Sequence, residues 1–374
     1  ADGTSASNSI HAAGGSGGGI YLSCAVLAGT HGLITANAGD PQSGQSGGGG
    51  GGGRIAVHYD PAAQAGLIEQ PSIGFQAKPS LSGSKKTVGD IGTLYFPDGT
   101  LFSPTNLFTG QWVGPGPAAL ALSDWTVSNV WLRLPGFDVT ITNTLTVAGT
   151  NPLLHRLEFT NGAAFACSNL LINSASFGAG GLGNTGEPPV ACRATVNGPD
   201  GPTLTCAGNL IVTNTGRLYV YAGLTNSGAE PGIGARVFVG NEFRIAGSNC
   251  WVFPAAHPTN GAAVLFSAHT AAIGSNSGFN ANRLGYGGGV AGSIYPYGPG
   301  TGTVYSGSGH GGQGGAGSDA GGIAGKTYGN SNAPLAPGSG NRWGSGTTYG
   351  AEITSGGGSV QLRVAGSLTL LGVM

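Results

Sequence analysis

Residues 47–60 read GGGGGGGRIAVHYD, and the junction within that stretch limits what the chain can fold into. Seven glycines bring no side chains with which to bury area, and ordering glycine costs more backbone entropy than ordering any other residue. The next residues alternate apolar and polar, which places Ile55, Val57 and Tyr59 on one face of a strand. The same plan recurs in GGGIYLSC, with Ile20, Leu22 and Cys24 as the inward set, and in SGGGSVQLRV, with Val360, Leu362 and Val364. A second short strand is expected downstream of each, at Gly32-Leu33-Ile34, Gly66-Leu67-Ile68 and Gly372-Val373-Met374.

The spacing relates these copies to one another. Ile20 and Ile55 are 35 residues apart, and Val360 counted through Met374 into the Ile20 of a following copy gives 34. Within the unit, Gly32 follows Ile20 by 12 residues, as Gly372 follows Val360. The spacing therefore predicts that the last strands of one copy are completed by the first strands of another. The expected junction comprises Val360, Leu362, Val364, Leu368, Leu370, Val373 and Met374 on one side. Ile20, Leu22, Cys24, Leu33 and Ile34 form the other.

Between these segments the repeats are looser. TLTV at 144–147, NLLI at 169–172, NLIV at 209–212 and EFRI at 242–245 start 25, 40 and 33 residues apart, and SLTL at 367–370 has the same form. Several are followed by a turn and a further strand, as in LLHRLEF, TGRLYVY and SNCWVF. Short strands, frequent turns and no 3.6-residue period predict an all-β protein. Because each repeat resembles its sequence neighbour, the expected pairing is repeat on repeat, a parallel β-helix with Gly-rich loop insertions. About 12 coils would span about 60 Å at the spacing of stacked strands. The expected division is 1–70, Gly-rich coils completing the preceding copy; 71–125, an irregular connecting β segment; 126–280, central coils; and 281–374, a Gly/Tyr-rich segment with a last coil.

Composition excludes several functions. Charged residues are 8% of the chain and Lys plus Arg number 14 for a formal net charge of −1, so there is no basic footprint for nucleic acid. No run of about 18 apolar residues is present, so no membrane span is expected. The seven histidines are scattered without ligand spacing, and no phosphate loop or HExxH or GxSxG motif occurs, so neither cofactor nor enzyme activity is expected. GGAGSDAGG at 314–322 matches the calcium nonapeptide of β-rolls only in part, at Asp319.

The Gly run, strand and Gly-Leu-Ile-Thr-Ala-Asn sequence, followed by GGGGGGGRIAVHYD, resembles the Gly-rich repeats of very large secreted bacterial surface proteins of the adhesin-like β-helical kind. The resemblance covers residues 1–70 and about 305–374, and implies an extracellular, structural or adhesive role with no catalytic residues to transfer. The combined expectation is a structural repeat unit of an extracellular filament, a homopolymer assembled head to tail. The alternatives are a surface adhesin binding glycans, or a polysaccharide-degrading β-helix enzyme.

Four finer expectations follow. The glycine segments read first as flexible loops, and second as extended helices of polyproline II type lying side by side with their bare backbones hydrogen-bonded. Arg133, Arg156, Glu158, Arg217, Glu242 and Arg244 at outward positions read as a solvent-facing charge ladder rather than an active site. Cys24 and Cys167 read as small core residues, and Cys192 with Cys206 as a possible disulfide in the largest insertion. Aromatic residues of the Gly-rich face, among them Tyr286, Tyr297, Tyr328 and Trp343, read as cover for backbone, with sugar stacking as the other use.

Overall fold

The computed structural model describes residues 1–6, 13–41, 48–80, 89–102, 107–114, 119–151, 155–160, 164–179, 202–224, 232–289, 296–303, 306–317, 322–341 and 355–374. These residues are all-β apart from one five-residue helix, Pro61–Ala65, whose N-cap Asp60 accepts from the backbone N–H groups of Ala62 and Ala63. Every strand pairing among them is parallel. They form a 12-stranded and a 10-stranded sheet.

From Trp131–Pro135 onward the chain visits the two sheets in turn: Asp138–Ala148 in the smaller, Arg156–Thr160 in the larger, Ala164–Asn173 in the smaller again. A strand's neighbour is thus the strand of the next visit, which makes the pairing parallel. The inward rows follow the repeats read from the sequence. Leu145 pairs with Leu170, Leu170 with Leu210 and Leu210 with Phe243. Val147, Ile172, Val212 and Ile245 form the next row, and all eight side chains are buried. Each such burial is worth about 1.5–3 kcal/mol before conformational entropy is subtracted.

Near the start of the chain, Ile20 pairs with Ile55 at the spacing of 35, and Ile55 pairs on to Leu94. Two expectations fail here. Gly66-Leu67-Ile68 is not a strand: it follows the short helix, Ile68 is fully exposed, and the partner of Thr30–Thr35 is Ser72–Gln76. The helix adds residues to this repeat, so the second strand starts later than the first copy implies. SVQLRV, in turn, does not join the sheet of the two copies it resembles. Gln361–Val364 lies in the smaller sheet beside Ala263–Ile273, with Phe266 opposite Leu362 and Ala268 opposite Val364.

The glycine segments correct the loop expectation. Residues 48–53 are bonded to four neighbouring segments: Gly14 and Gly17 N–H donate to Gly48 and Gly51, Gly53 N–H to Ala36, Gly52 N–H to Asp90, and Ser80 N–H to Gly50, all at 2.8–3.0 Å. A strand in a sheet has at most two hydrogen-bonding neighbours. With four, most directions around the segment are occupied by another backbone, and at Gly50, Gly52 and Gly53 a side chain has nowhere to point. A Cβ on Gly52 would stand 2.1 Å from the Ala77 carbonyl oxygen, and on Gly53 2.0 Å from that of Gly18. Residues 281–289, 296–303, 306–317, 322–341 and 355–358 carry a second set of such bonds, including Gly285 to Gly356, Tyr286 to Gly338, Gly309 to Gly300 and Gly314 to Gly325. These inter-segment bonds are the ones the side-by-side reading requires.

Adjacent residues provide the test. Gly52→Ala is expected to destabilise by about 2 kcal/mol or more, because the carbonyl it strikes is backbone and cannot rotate away. At Gly51 the nearest atom to a new Cβ is 3.8 Å away, so Gly51→Ala should stay within about 0.5 kcal/mol of the parent. Denaturant midpoints of the two variants decide it; equal midpoints would contradict the packing.

Candidate functional site

The larger sheet ends at Gly19–Ser23, which is bonded on one side only, to Arg54–His58, and the branch beside it ends at Thr30–Thr35. At the opposite end, Gln361–Val364 and Leu368–Leu370 close the smaller sheet, and Val373 bridges to Gly278 at the far end of the larger one. The residues expected to meet at a junction therefore lie at two opposite open edges. Ile20, Leu22, Ile34, Val360, Leu362 and Val364 pack against the core but are only partly buried. Leu33, Leu368, Leu370, Val373 and Met374 are exposed, Leu33 to 60% and Val373 to 54%. Of fifteen large hydrophobic residues exposed among the described residues, eight lie in residues 19–35 and 360–374, which carry these edge strands, so apolar surface is concentrated there.

Cys24 departs from its expected place in the core. The strand ends at Ser23, and Cys24 is exposed because no further strand covers that position. One aromatic column reaches the same edge: the Tyr21 ring lies 5.0 Å from His58, which lies 4.9 Å from Tyr95. Tyr21 is 70% exposed and leaves the column open at its end.

Arg133, Arg156 and Glu158 hold the outward positions that the alternation gave them, but they do not face solvent. Arg133 and Glu158 sit opposite each other in the larger sheet, on the face away from the core, yet Glu158 is 0% exposed and Arg133 9%. Glu158 accepts from Arg133 Nε and from Trp131 Nε1, both at 2.6 Å. Arg133 also donates through both terminal nitrogens to Asp90, each at 3.1 Å. The Arg156 guanidinium lies 4.3 Å over the Trp131 ring. Desolvation works against the charge of Arg133, but Glu158 and Asp90 outweigh it and raise its pKa. Burial drives the Glu158 pKa up against the pull of Arg133 and Arg156. The Asp90 carbonyl accepts from Gly52 N–H at 2.9 Å, so this cluster ties the glycine segment 48–53 to the sheet; with both Glu158 oxygens engaged and Glu158 fully buried, the geometry suits a clamp.

The outward residues of the next strands explain the burial in part. Tyr219, Tyr221, Phe253 and Ala255 form a second apolar layer with Leu284, and Tyr219 stacks on Phe253 at 4.5 Å. Aromatics at outward positions were the signal, present in the sequence, that this face is covered. Arg217 reaches Tyr219 Oη at 3.3 Å, while Glu242 and Arg244 form a separate, half-exposed pair at 3.7 Å in the smaller sheet.

Cys206 is not on an insertion. It is buried at the end of Thr203–Cys206, opposite Cys167, with the sulfurs 3.4 Å apart and both thiols free. Cys192, Asp319 and Trp343 lie outside the described residues. No three His, Cys, Asp or Glu side chains gather in a metal-binding group among the described residues, and no described helix is long and apolar enough to cross a membrane. Compared with known proteins, the chain matches no family model, no curated protein and no solved structure.

Arg133→Met leaves the buried Glu158 carboxylate with one donor and is expected to cost about 3–5 kcal/mol. Adding Glu158→Leu removes the stranded charge and should recover at least half of that loss in urea unfolding. A double variant no more stable than the single one would count against the clamp.

Proposed function

We propose that the chain is a parallel β-helix and a structural unit of an extracellular filament, in which copies stack head to tail through the two open edges. The observation that carries this reading is the concentration of exposed apolar side chains on both edges, beside strands bonded on one side only. Unpaired N–H and C=O rows accept a further parallel strand, and partly covered Ile20, Leu22, Leu362 and Val364 gain burial when one arrives. The occupant is a second copy. GGGIYLSC and GGGSVQLRV follow one plan, so a copy's Gly19–Ser23 meets Gln361–Val364 much as it meets Arg54–His58 within its own chain.

Two consequences follow. Gly19–Ser23 belongs to the larger sheet and Gln361–Val364 to the smaller, so successive copies are rotated about the filament axis. The main path of the larger sheet has ten strands, which sets an axial repeat of about 48 Å. That is shorter than the length expected from a uniform coil, because the glycine segments take up chain without adding strands to the path. The extracellular setting is what the sequence resemblance implies.

Negative-stain electron microscopy tests the reading. The parent should form thin fibres with an axial repeat near 48 Å. Leu370→Asp and Val373→Asp change exposed side chains, 47% and 54% accessible, so the subunit should fold normally. Each puts a carboxylate into the apolar junction, which should weaken association about a hundredfold and leave single rods. Single rods from the parent, or parent-length fibres from both variants, would contradict it.

A further inference from the structure

The second set of glycine segments encloses a cleft of about 300 Å³ whose walls include His310, Thr327, Tyr328, Asn330, Ser331 and Pro334. The Tyr328 ring is fixed from several sides. Its hydroxyl donates to the Pro337 carbonyl and accepts from Ser339 Oγ at 3.0 Å, while Ser339 Oγ in turn accepts from Gly300 N–H at 2.9 Å. The Tyr328 backbone N–H donates to His310 O at 2.8 Å, and His310 N–H to Gly312 O at 3.0 Å. His310 meets the Tyr328 ring at 4.8 Å with an interplanar angle of 61°. The aromatic wall is thus built before any ligand arrives.

The polar groups of the cleft are uncommitted. Asn330 Oδ1 accepts from Asn332 N–H at 2.9 Å, and its amide nitrogen has no protein partner among the described residues. The same holds for the Thr327 and Ser331 hydroxyls and the His310 ring nitrogens. None of the lining residues is Asp, Glu, Lys or Arg. A phosphate or carboxylate would find no Lys or Arg in the lining, and an ammonium no carboxylate. A ligand with apolar C–H faces and several neutral hydroxyls matches both the rings and the donors. At about 300 Å³ the cleft is at the small end of ligand sites, which span roughly 300–1,000 Å³.

We propose that this cleft binds one neutral glycosyl unit, stacked against Tyr328 and hydrogen-bonded by Thr327, Asn330 and Ser331. Such a site is independent of filament assembly and gives each copy in an array one weak sugar contact, which multiplies along a fibre by avidity.

Saturation-transfer NMR on the full chain tests this, with the methyl glycosides of glucose, galactose, mannose and N-acetylglucosamine as probes, and glucuronate and adenosine as competitors. At least one methyl glycoside should bind saturably with a Kd near 1 mM. Asn330→Ala and Thr327→Val, both at exposed positions, should each weaken it about tenfold with the thermal midpoint unchanged. No saturable binding of any of the four, binding unchanged in both variants, or tighter binding of glucuronate or adenosine than of every neutral glycoside would overturn the proposal.

Discussion

The fold depends on how closely two backbones approach when neither residue carries a Cβ. In residues 48–53 the chain has hydrogen-bonding neighbours on four sides, and added Cβ atoms at Gly50, Gly52 and Gly53 would stand 2.0–2.1 Å from carbonyl oxygens. No pattern of side chains substitutes for that. Glycine is unfavourable in most ordered structure because it loses the most entropy and buries the least area. Here the loss is offset by backbone hydrogen bonds between segments, each worth about 1 kcal/mol net.

The sheets and the glycine segments support each other. Segment 48–53 runs directly into Arg54–His58, so ordering one fixes the start of the other. Asp90, beside Gly89, holds Arg133 on the outer face of the larger sheet, and Glu158 completes the cluster. The outer face of that sheet is consequently covered at both the charge cluster and the Tyr219 and Phe253 layer, which accounts for aromatic residues at positions where a half-exposed strand carries polar ones.

The inward rows were legible in the sequence because period-2 alternation and repeat spacing are local. The Ile20 to Ile55 spacing and the Leu145, Leu170, Leu210 and Phe243 row are ladder registers in the structure. What was not legible depended on contacts between distant segments. The Cys206 to Cys167 contact links residues 39 apart, and Arg133 to Asp90 links residues 43 apart; neither spacing carries a local pattern. The apolar alternation picked out Ile20, Leu22, Leu362 and Val364, which lie in edge strands, but which sheet each strand joins was hidden. In the cleft, Tyr328 was marked by the sequence as an aromatic able to stack on sugar, but Thr327, Asn330 and Ser331 gave no signal, since isolated hydroxyl and amide side chains in a glycine-rich run read as turn residues.

Amide hydrogen exchange at residues 48–53 tests the central claim most directly, because it reports whether those N–H groups are held in protein hydrogen bonds. The account predicts protection at Gly50, Gly52 and Gly53 comparable to that of Ile55 and Val57 in the adjoining strand. Exchange there at the rate of a free glycine peptide, with the strand still protected, would contradict it.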